Sequence, residues 1–93
     1  MRNSQVIQAN RAYTVSALEK LGFETLPSKA NFIFTRCPRV AGGALYRGLK
    51  ARGVLVRHWD KPELAGWCRV TIGSREQMDV FLDRVRDILE EAD

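Results

Sequence analysis

Apolar residues recur along this chain at helical spacing in three stretches, and short apolar runs with the composition of strands lie between them. A return of apolar side chains every three to four positions is typical of a helix with one buried face. The pattern predicts helices over residues 4–21, over residues 41–51 and from Ser74 towards the end of the chain. The predicted inward residues are Val6, Tyr13, Ala17, Leu18 and Leu21 in the first helix, Leu45, Tyr46 and Leu49 in the second, and Met78, Phe81, Leu82, Val85, Ile88 and Leu89 in the third.

Glycine and serine mark the boundaries of these helices. Gly22 and Gly53 are placed to end the first two, because glycine readily adopts the left-handed conformation that follows a helix. Ser74 and Gln77 have the spacing of a capping box, in which each side chain bonds to the other residue's backbone N–H. The third helix is therefore predicted to begin directly after Ser74.

Four short segments between the helices are rich in β-branched and aromatic residues, which favours strands. They are residues 23–26, 31–35, 54–57 and 67–72. The resulting order, α-β-β-α-β-β-α, predicts an α+β fold in which a small, mostly antiparallel four-stranded sheet has its helices on one face. At 93 residues the chain makes one domain.

Strict alternation along the strands sorts their side chains onto two faces of the predicted sheet. One set is predicted to face the helices: Phe32, Phe34, Val54, Val56, Cys68, Val70 and Ile72. The other set shares the opposite face: Asn31, Ile33, Leu55, Arg57, Trp67, Arg69 and Thr71. This second face mixes large apolar side chains with two arginines, so we expect another domain, another subunit or a ligand to cover it.

The two strand arginines, Arg57 and Arg69, are the candidate binding residues of the chain. Burying a guanidinium is costly without a partner, and two on neighbouring strands indicate an anion. Arginine suits a carboxylate or a phosphate, because its planar fork donates two parallel hydrogen bonds. The alternative is a structural ion pair with one of three nearby carboxylates, Glu24, Asp60 or Glu63.

Charge and cysteine usage exclude several function classes. The net charge of +4 is uneven, because residues 74–93 hold seven acidic and three basic side chains and leave the excess of positive charge upstream. That excess fits an anionic ligand, but it lacks the basic cluster with interleaved aromatics that nucleic-acid binding requires. Two distant cysteines, Cys37 and Cys68, indicate reduced thiols, and a single histidine makes a zinc site implausible. With no apolar run of about 20 residues, we expect a cytoplasmic protein without a membrane partner.

Three segments resemble a known family. They are PSKANFIF at residues 27–34, LYRGLKARGVLVR at residues 45–57 and LAGWCRVTIGSREQ at residues 64–77. All three closely resemble the C-terminal small domain of the histidinol-phosphate aminotransferases, which are fold type I enzymes that depend on pyridoxal phosphate. The resemblance extends over essentially the whole chain, residues 1–93, and implies the small-domain fold of that class.

The resemblance implies a function in histidine biosynthesis, namely amino transfer between histidinol phosphate and 2-oxoglutarate. Arg69 matches the arginine that holds the acidic group of the substrate, and Arg57 matches a second arginine near the phosphate end. Asn31 matches the asparagine of a Ser-x-x-Asn-Phe motif near the substrate pocket. The expected substrate is thus a small molecule with a phosphate or carboxylate.

The same resemblance implies that most of the catalytic machinery is absent. Transamination needs a lysine that forms an imine with pyridoxal phosphate, and in this family that lysine belongs to a large domain. The sequence Ser-Lys-Ala around Lys29 is similar to that around the family's catalytic lysine. Because Lys29 directly precedes a strand of the small domain, we expect it to be a lysine in a turn and not the imine-forming one. The 93-residue chain alone is therefore predicted to be inactive and to hold no cofactor.

An alternative function is a free-standing or truncated module that binds an anion or a protein without chemistry. In either case the exposed sheet face needs cover in the absence of a large domain. We therefore expect the chain to form a homodimer through that face.

Overall fold

The computed structural model describes residues 4–28, 30–59 and 61–92, with only the backbone of Ser4. Lys29 and Asp60 lie outside the described residues, so the expectation of a turn lysine and one candidate ion-pair partner are not covered. The elements follow the predicted order: α1 (Ser4–Lys20), β1 (Glu24–Thr25), β2 (Phe32–Arg36), α2 (Gly42–Ala51), β3 (Arg57–His58), β4 (Cys68–Thr71) and α3 (Arg75–Ala92).

The strands form one antiparallel sheet in the order β1-β2-β4-β3. The α+β class and the four-stranded sheet are thus confirmed. Helix α3 packs against both other helices, while α1 contacts β1 and α2 contacts β3. The buried strand residues Ile33, Cys68 and Val70 join the helices in a single core.

Local signals at the helix ends act as expected. Gly22 and Gly53 have φ angles of 94° and 84°, the left-handed region in which glycine is favoured. The capping box is also present, since the Ser74 N–H donates to Oε1 of Gln77 at 2.9 Å. In return, the Gln77 N–H donates to Oγ of Ser74 at 3.1 Å.

Helix α3 supplies the largest part of the core, and all six of its predicted inward residues are buried. Helix α1 differs from the prediction, because Val6 is 49% exposed. Its buried surface includes Asn10 and Thr14, polar residues that a search for apolar periodicity leaves out. Leu18, as predicted, is fully buried.

The prediction of which β2 side chains face the helices is wrong by one residue. Ile33 pairs with Val70 and Thr35 pairs with Cys68, and all four are buried on the helix side. Phe32 and Phe34 therefore lie on the opposite side of the sheet, although both were expected to face the helices. The physical reason is that a one-residue offset moves every side chain of a strand to the other face.

The predicted strand at residues 54–57 is reduced to Arg57 and His58. The preceding segment turns back onto α2, where the Val54 N–H donates to the Leu49 carbonyl at 2.8 Å. Leu55 is then 76% exposed. A groove of about 520 Å³ opens between residues 53–56 and the first turns of α3.

Candidate anion-binding site

The side of the sheet away from the helices is called the open face here. By strand register it carries Phe32, Phe34, Arg36, Arg57, Arg69 and Thr71. Arg57 and Arg69 are direct cross-strand partners on β3 and β4. Like charges in directly opposed positions destabilise a sheet, so this pair calls for a compensating group.

No carboxylate compensates this pair among the residues that the structure describes. Glu24 bonds to Arg36 instead, with 2.7 Å between its Oε1 and the arginine Nε. Glu63 forms no ion pair with either strand arginine. The Nε atom of Arg69 is buried and has no hydrogen-bond partner, which is a costly condition for a charged donor.

Aromatic rings position the two guanidinium groups. The Arg69 guanidinium lies 5.1 Å from the centre of the Phe32 ring, and that of Arg57 lies 5.7 Å from the Trp59 ring. Phe34 stands between these two rings, 5.7 Å from Phe32 and 6.0 Å from Trp59. A cation–π contact leaves the guanidinium N–H groups that do not face the ring available to an acceptor.

Asn31 lies in a bend directly before β2, and its side chain is exposed. Its carbonyl accepts the Ile72 N–H at 2.7 Å, which places it at the end of the β2–β4 pair. Strand alternation does not support the placement of Asn31 on the face of the arginines, since its alternate neighbour Ile33 is buried on the helix side and Asn31 itself lies in a bend outside β2. Within the described part of the chain, Asn31 makes no hydrogen bond to Arg57 or Arg69.

Sequence reasoning missed Phe32 and Phe34 as parts of this site and favoured a plain loop role for Trp59. A signal was present, because Arg36 has the same strand parity as the two phenylalanines. An arginine at the end of a strand favours the solvent side, and that choice carries Phe32 and Phe34 outward with it. Arg57 and Arg69 were candidates from the sequence, and the structure places them opposite each other on β3 and β4.

The described residues offer no position for an imine-forming lysine. Lys20, Lys50 and Lys61 are all exposed, whereas an imine-forming lysine needs a desolvated pocket. Residues 4–28, 30–59 and 61–92 also contain no cluster of histidine, cysteine or acidic side chains that fits a metal ion.

Comparison with known proteins decides the family. The sequence profile named "Aminotransferase class I and II" matches residues 1–85. The chain belongs to this family. Among curated members, histidinol-phosphate aminotransferase 2 of Rhizobium meliloti (strain 1021) is 53% identical over 83 residues, which are 89% of this chain and 24% of that protein. The histidinol-phosphate aminotransferase of Acetobacter pasteurianus is 41% identical over 85 residues, which are 91% of this chain and 24% of that protein.

Solved structures of family members share the fold. A putative histidinol-phosphate aminotransferase from Erwinia carotovora atroseptica SCRI1043 superposes with a TM-score of 0.82 at 27% identity, over 95% of this chain and 25% of that one. The histidinol-phosphate aminotransferase from Clostridium acetobutylicum gives 0.84 at 22% identity, over 94% of this chain and 27% of that one. The chain thus has the fold of the small domain of these enzymes and spans about a quarter of their length.

The comparisons confirm the resemblance that the sequence motifs indicated. They assign no role to individual residues, so the functions of Arg57, Arg69 and Asn31 stay predictions. No helix within the described residues is long and apolar enough to cross a lipid bilayer.

Proposed function

We propose that this chain acts as the C-terminal small domain of an aminotransferase that moves an amino group between histidinol phosphate and 2-oxoglutarate. Support comes from curated relatives named histidinol-phosphate aminotransferase, which are 40–53% identical over most of the chain. In this proposal the small domain supplies the residues that hold the anionic end of the substrate. The rest of the longer enzyme supplies the catalytic lysine.

One observation carries the proposed binding role. Arg57 and Arg69 are opposed across two strands without a described carboxylate, and the buried Nε of Arg69 has no acceptor. A phosphate group satisfies both conditions, because its oxygens accept bidentate hydrogen bonds and its charge offsets two guanidinium groups. Arg69 is the proposed principal ligand and Arg57 the second one. Asn31, whose exposed side chain lies at the end of the β2–β4 pair, is proposed as a third ligand from the family resemblance.

Pyridoxal phosphate is the cofactor that the family implies, and when bound it supplies the electron sink for transamination. The described residues of this chain do not fit it, since none of their lysines is buried. We therefore assign this chain no catalytic step. Its proposed contribution is recognition, in which the arginines favour substrates with a second anionic group over those without one.

The test is a titration of the 93-residue chain with histidinol phosphate, followed by ¹⁵N-NMR shifts of the backbone and arginine Nε–H groups. We expect shifts at Arg69, Arg57 and residues 31–32. Arg69→Gln should weaken binding by about tenfold, because a charge-assisted hydrogen-bond pair is lost. Arg36→Gln is the matched control, since Arg36 lies on the same face but already bonds to Glu24.

Two outcomes contradict the proposal. If both arginine variants weaken binding equally, the effect is one of net charge and no site exists. If histidinol binds as tightly as histidinol phosphate, the anion does not govern recognition.

A further inference from the structure

Two adjacent residues of α1 each hold the backbone of a segment beside the candidate site. Asn10 donates from Nδ2 to the Gly73 carbonyl at 3.0 Å, just after β4. Arg11 donates from Nη1 to the Ala30 carbonyl at 2.7 Å, just before β2. Since Phe32 pairs with Thr71, these two segments lie side by side at one end of the β2–β4 pair.

The backbone around Asn31 is held from several directions. Its carbonyl accepts the Ile72 N–H at 2.7 Å. Ser28 Oγ accepts the Ala30 N–H at 3.1 Å and donates to the Phe32 carbonyl at 2.9 Å. With the bond from Arg11, backbone groups before, at and after Asn31 are engaged while its side chain stays exposed.

Burying the polar side chains of Asn10 and Thr14 in α1 removes them from water, which costs free energy of solvation. Asn10 is only 8% exposed and Thr14 is fully buried, and the Thr14 hydroxyl donates to the Asn10 carbonyl at 2.7 Å. Apolar side chains at these positions would pack on the sheet without needing hydrogen-bond partners. The bond of Thr14 stays within the helix, but those of Asn10 and Arg11 reach other segments, and directional bonds fix positions more narrowly than apolar contacts do.

We propose that Asn10 and Arg11 are positioning residues for the anion site, an inference that rests on the proposed function. Arg11 sets the Ala30–Phe32 segment, which carries the Asn31 amide and the ring under Arg69. Asn10 holds the backbone at Gly73, just after β4, and Arg69, which pairs with Arg57, lies four residues before Gly73 on that strand. Helix α1 thereby holds in register two strand ends that lie about 5 Å apart.

The test compares Arg11→Met with Arg52→Met in the 93-residue chain. Arg52 is the matched control, because its Nη1 also donates to a backbone carbonyl, that of Gly48 at 3.0 Å, and it bonds to Glu91 away from the open face. Both variants remove one positive charge. The readouts are inorganic phosphate binding by NMR and hydrogen exchange of the Ile72 amide relative to the core amide of Leu82.

We expect Arg11→Met to weaken phosphate binding by about fivefold, the effect of one lost hydrogen bond on a held geometry. Exchange at Ile72 should accelerate relative to Leu82. Arg52→Met should lower stability without either change. Arg11→Lys, which keeps a charged donor, should recover part of the affinity and covers the case in which Arg11→Met does not fold.

A purely structural role for Arg11 predicts lower stability with unchanged phosphate affinity and unchanged relative exchange, and that result overturns the inference. Equal loss of phosphate affinity in the Arg11 and Arg52 variants overturns it too. Failure of the unmodified chain to bind phosphate contradicts the proposed anion site. In that event, accelerated exchange at Ile72 in Arg11→Met still supports the positioning of the Ala30–Phe32 segment by Arg11, and unchanged exchange refutes it.

Discussion

Cys68 shows how burial changes the chemistry of a single side chain. It is fully buried, and its Sγ lies 3.5 Å from the Gly42 carbonyl. Burial penalises the thiolate and raises the pKa of the thiol from 9.0 to about 11. The side chain therefore behaves as a small apolar group and is a poor nucleophile at neutral pH.

The raised pKa of Cys68 makes stability depend on alkaline pH. The unfolded chain ionises near pH 9.0 while the folded chain keeps its proton to about pH 11, so the contribution to stability is full below pH 9 and lost across that window. The free energy of unfolding should fall there by up to roughly 3 kcal/mol, at 1.36 kcal/mol per pKa unit. Urea denaturation at several pH values between 8 and 11 measures this fall in the free energy of unfolding.

Cys68→Ala is the control for this prediction, because it removes the thiol and leaves the rest of the chain unchanged. The variant should be less stable at neutral pH but should lose less stability between pH 9 and 11. Parallel pH profiles for the two chains would contradict the assigned cause.

Single residues could be predicted from the sequence where their chemistry is unusual for their place. Arg69 stands out because a guanidinium buried in a strand needs a partner, whereas Arg57, predicted by the same argument, is exposed. The roles of Asn10 and Arg11 could not be predicted, since their acceptors are carbonyls at Gly73 and Ala30, distant in sequence. A backbone carbonyl carries no residue-specific signal, so only the folded geometry identifies such a bond.

At the scale of elements, the beginning of α2 depends on close contact with a loop. Gly42 is buried, and a Cβ atom there would overlap the Ala65 carbonyl oxygen and lie 2.9 Å from the Gly66 carbonyl carbon. The contact brings α2 against the chain that leads into β4. Glycine at this position therefore serves packing.

Gly42→Ala should destabilise the fold by about 1–3 kcal/mol, since backbone must move to admit the methyl group. Gly43→Ala is the matched control, because its Cβ would meet only the flexible ends of Arg47 and His58, at 3.2 and 3.5 Å. The control should be neutral or stabilising by up to about 1 kcal/mol through helix propensity. Thermal denaturation of both variants tests the contrast, and equal effects would contradict the packing argument.

Elements were predictable in proportion to their local signals. Helix α3 has a capping box and six inward apolar residues at one spacing, so its start and its buried face both follow from sequence. The segment before β3 has equally clear strand composition, but α2 captures the Val54 N–H and only two residues pair. This bond is local: with Gly53 in the left-handed conformation it caps the C-terminus of α2, and the cap outweighed the strand propensity of the next residues.

At the scale of the whole molecule, the described residues include two surfaces on which apolar side chains lie close together. One is the open face, with Phe32, Phe34 and the neighbouring Trp59 beside its arginines. The other is the groove, rimmed by Leu55 and Val80, which are 76% and 46% exposed. In the longer relatives this fold is one quarter of a larger chain, so both surfaces have candidate neighbours there.

We predict that the 93-residue chain forms a dimer through its open face. Replacing Phe34 with serine removes apolar area from that face and should favour the monomer in sedimentation velocity. Leu55→Ser is the control for the groove and should leave the dimer intact. If Leu55→Ser alone yields monomer, the groove is the interface, and a monomer at every concentration of the unmodified chain contradicts self-association altogether.

Charge sharpens this prediction. A symmetric dimer brings two copies of the Arg57–Arg69 pair towards each other, and like charges across an interface repel. Salt screens that repulsion over about 10 Å at 0.1 M, so association through the open face should strengthen as salt rises. At equal ionic strength, phosphate should strengthen dimer association more than chloride does, because a phosphate bound to the arginine pair neutralises the charges that repel. Association that is indifferent to salt and to the choice of anion would place the interface away from the arginines.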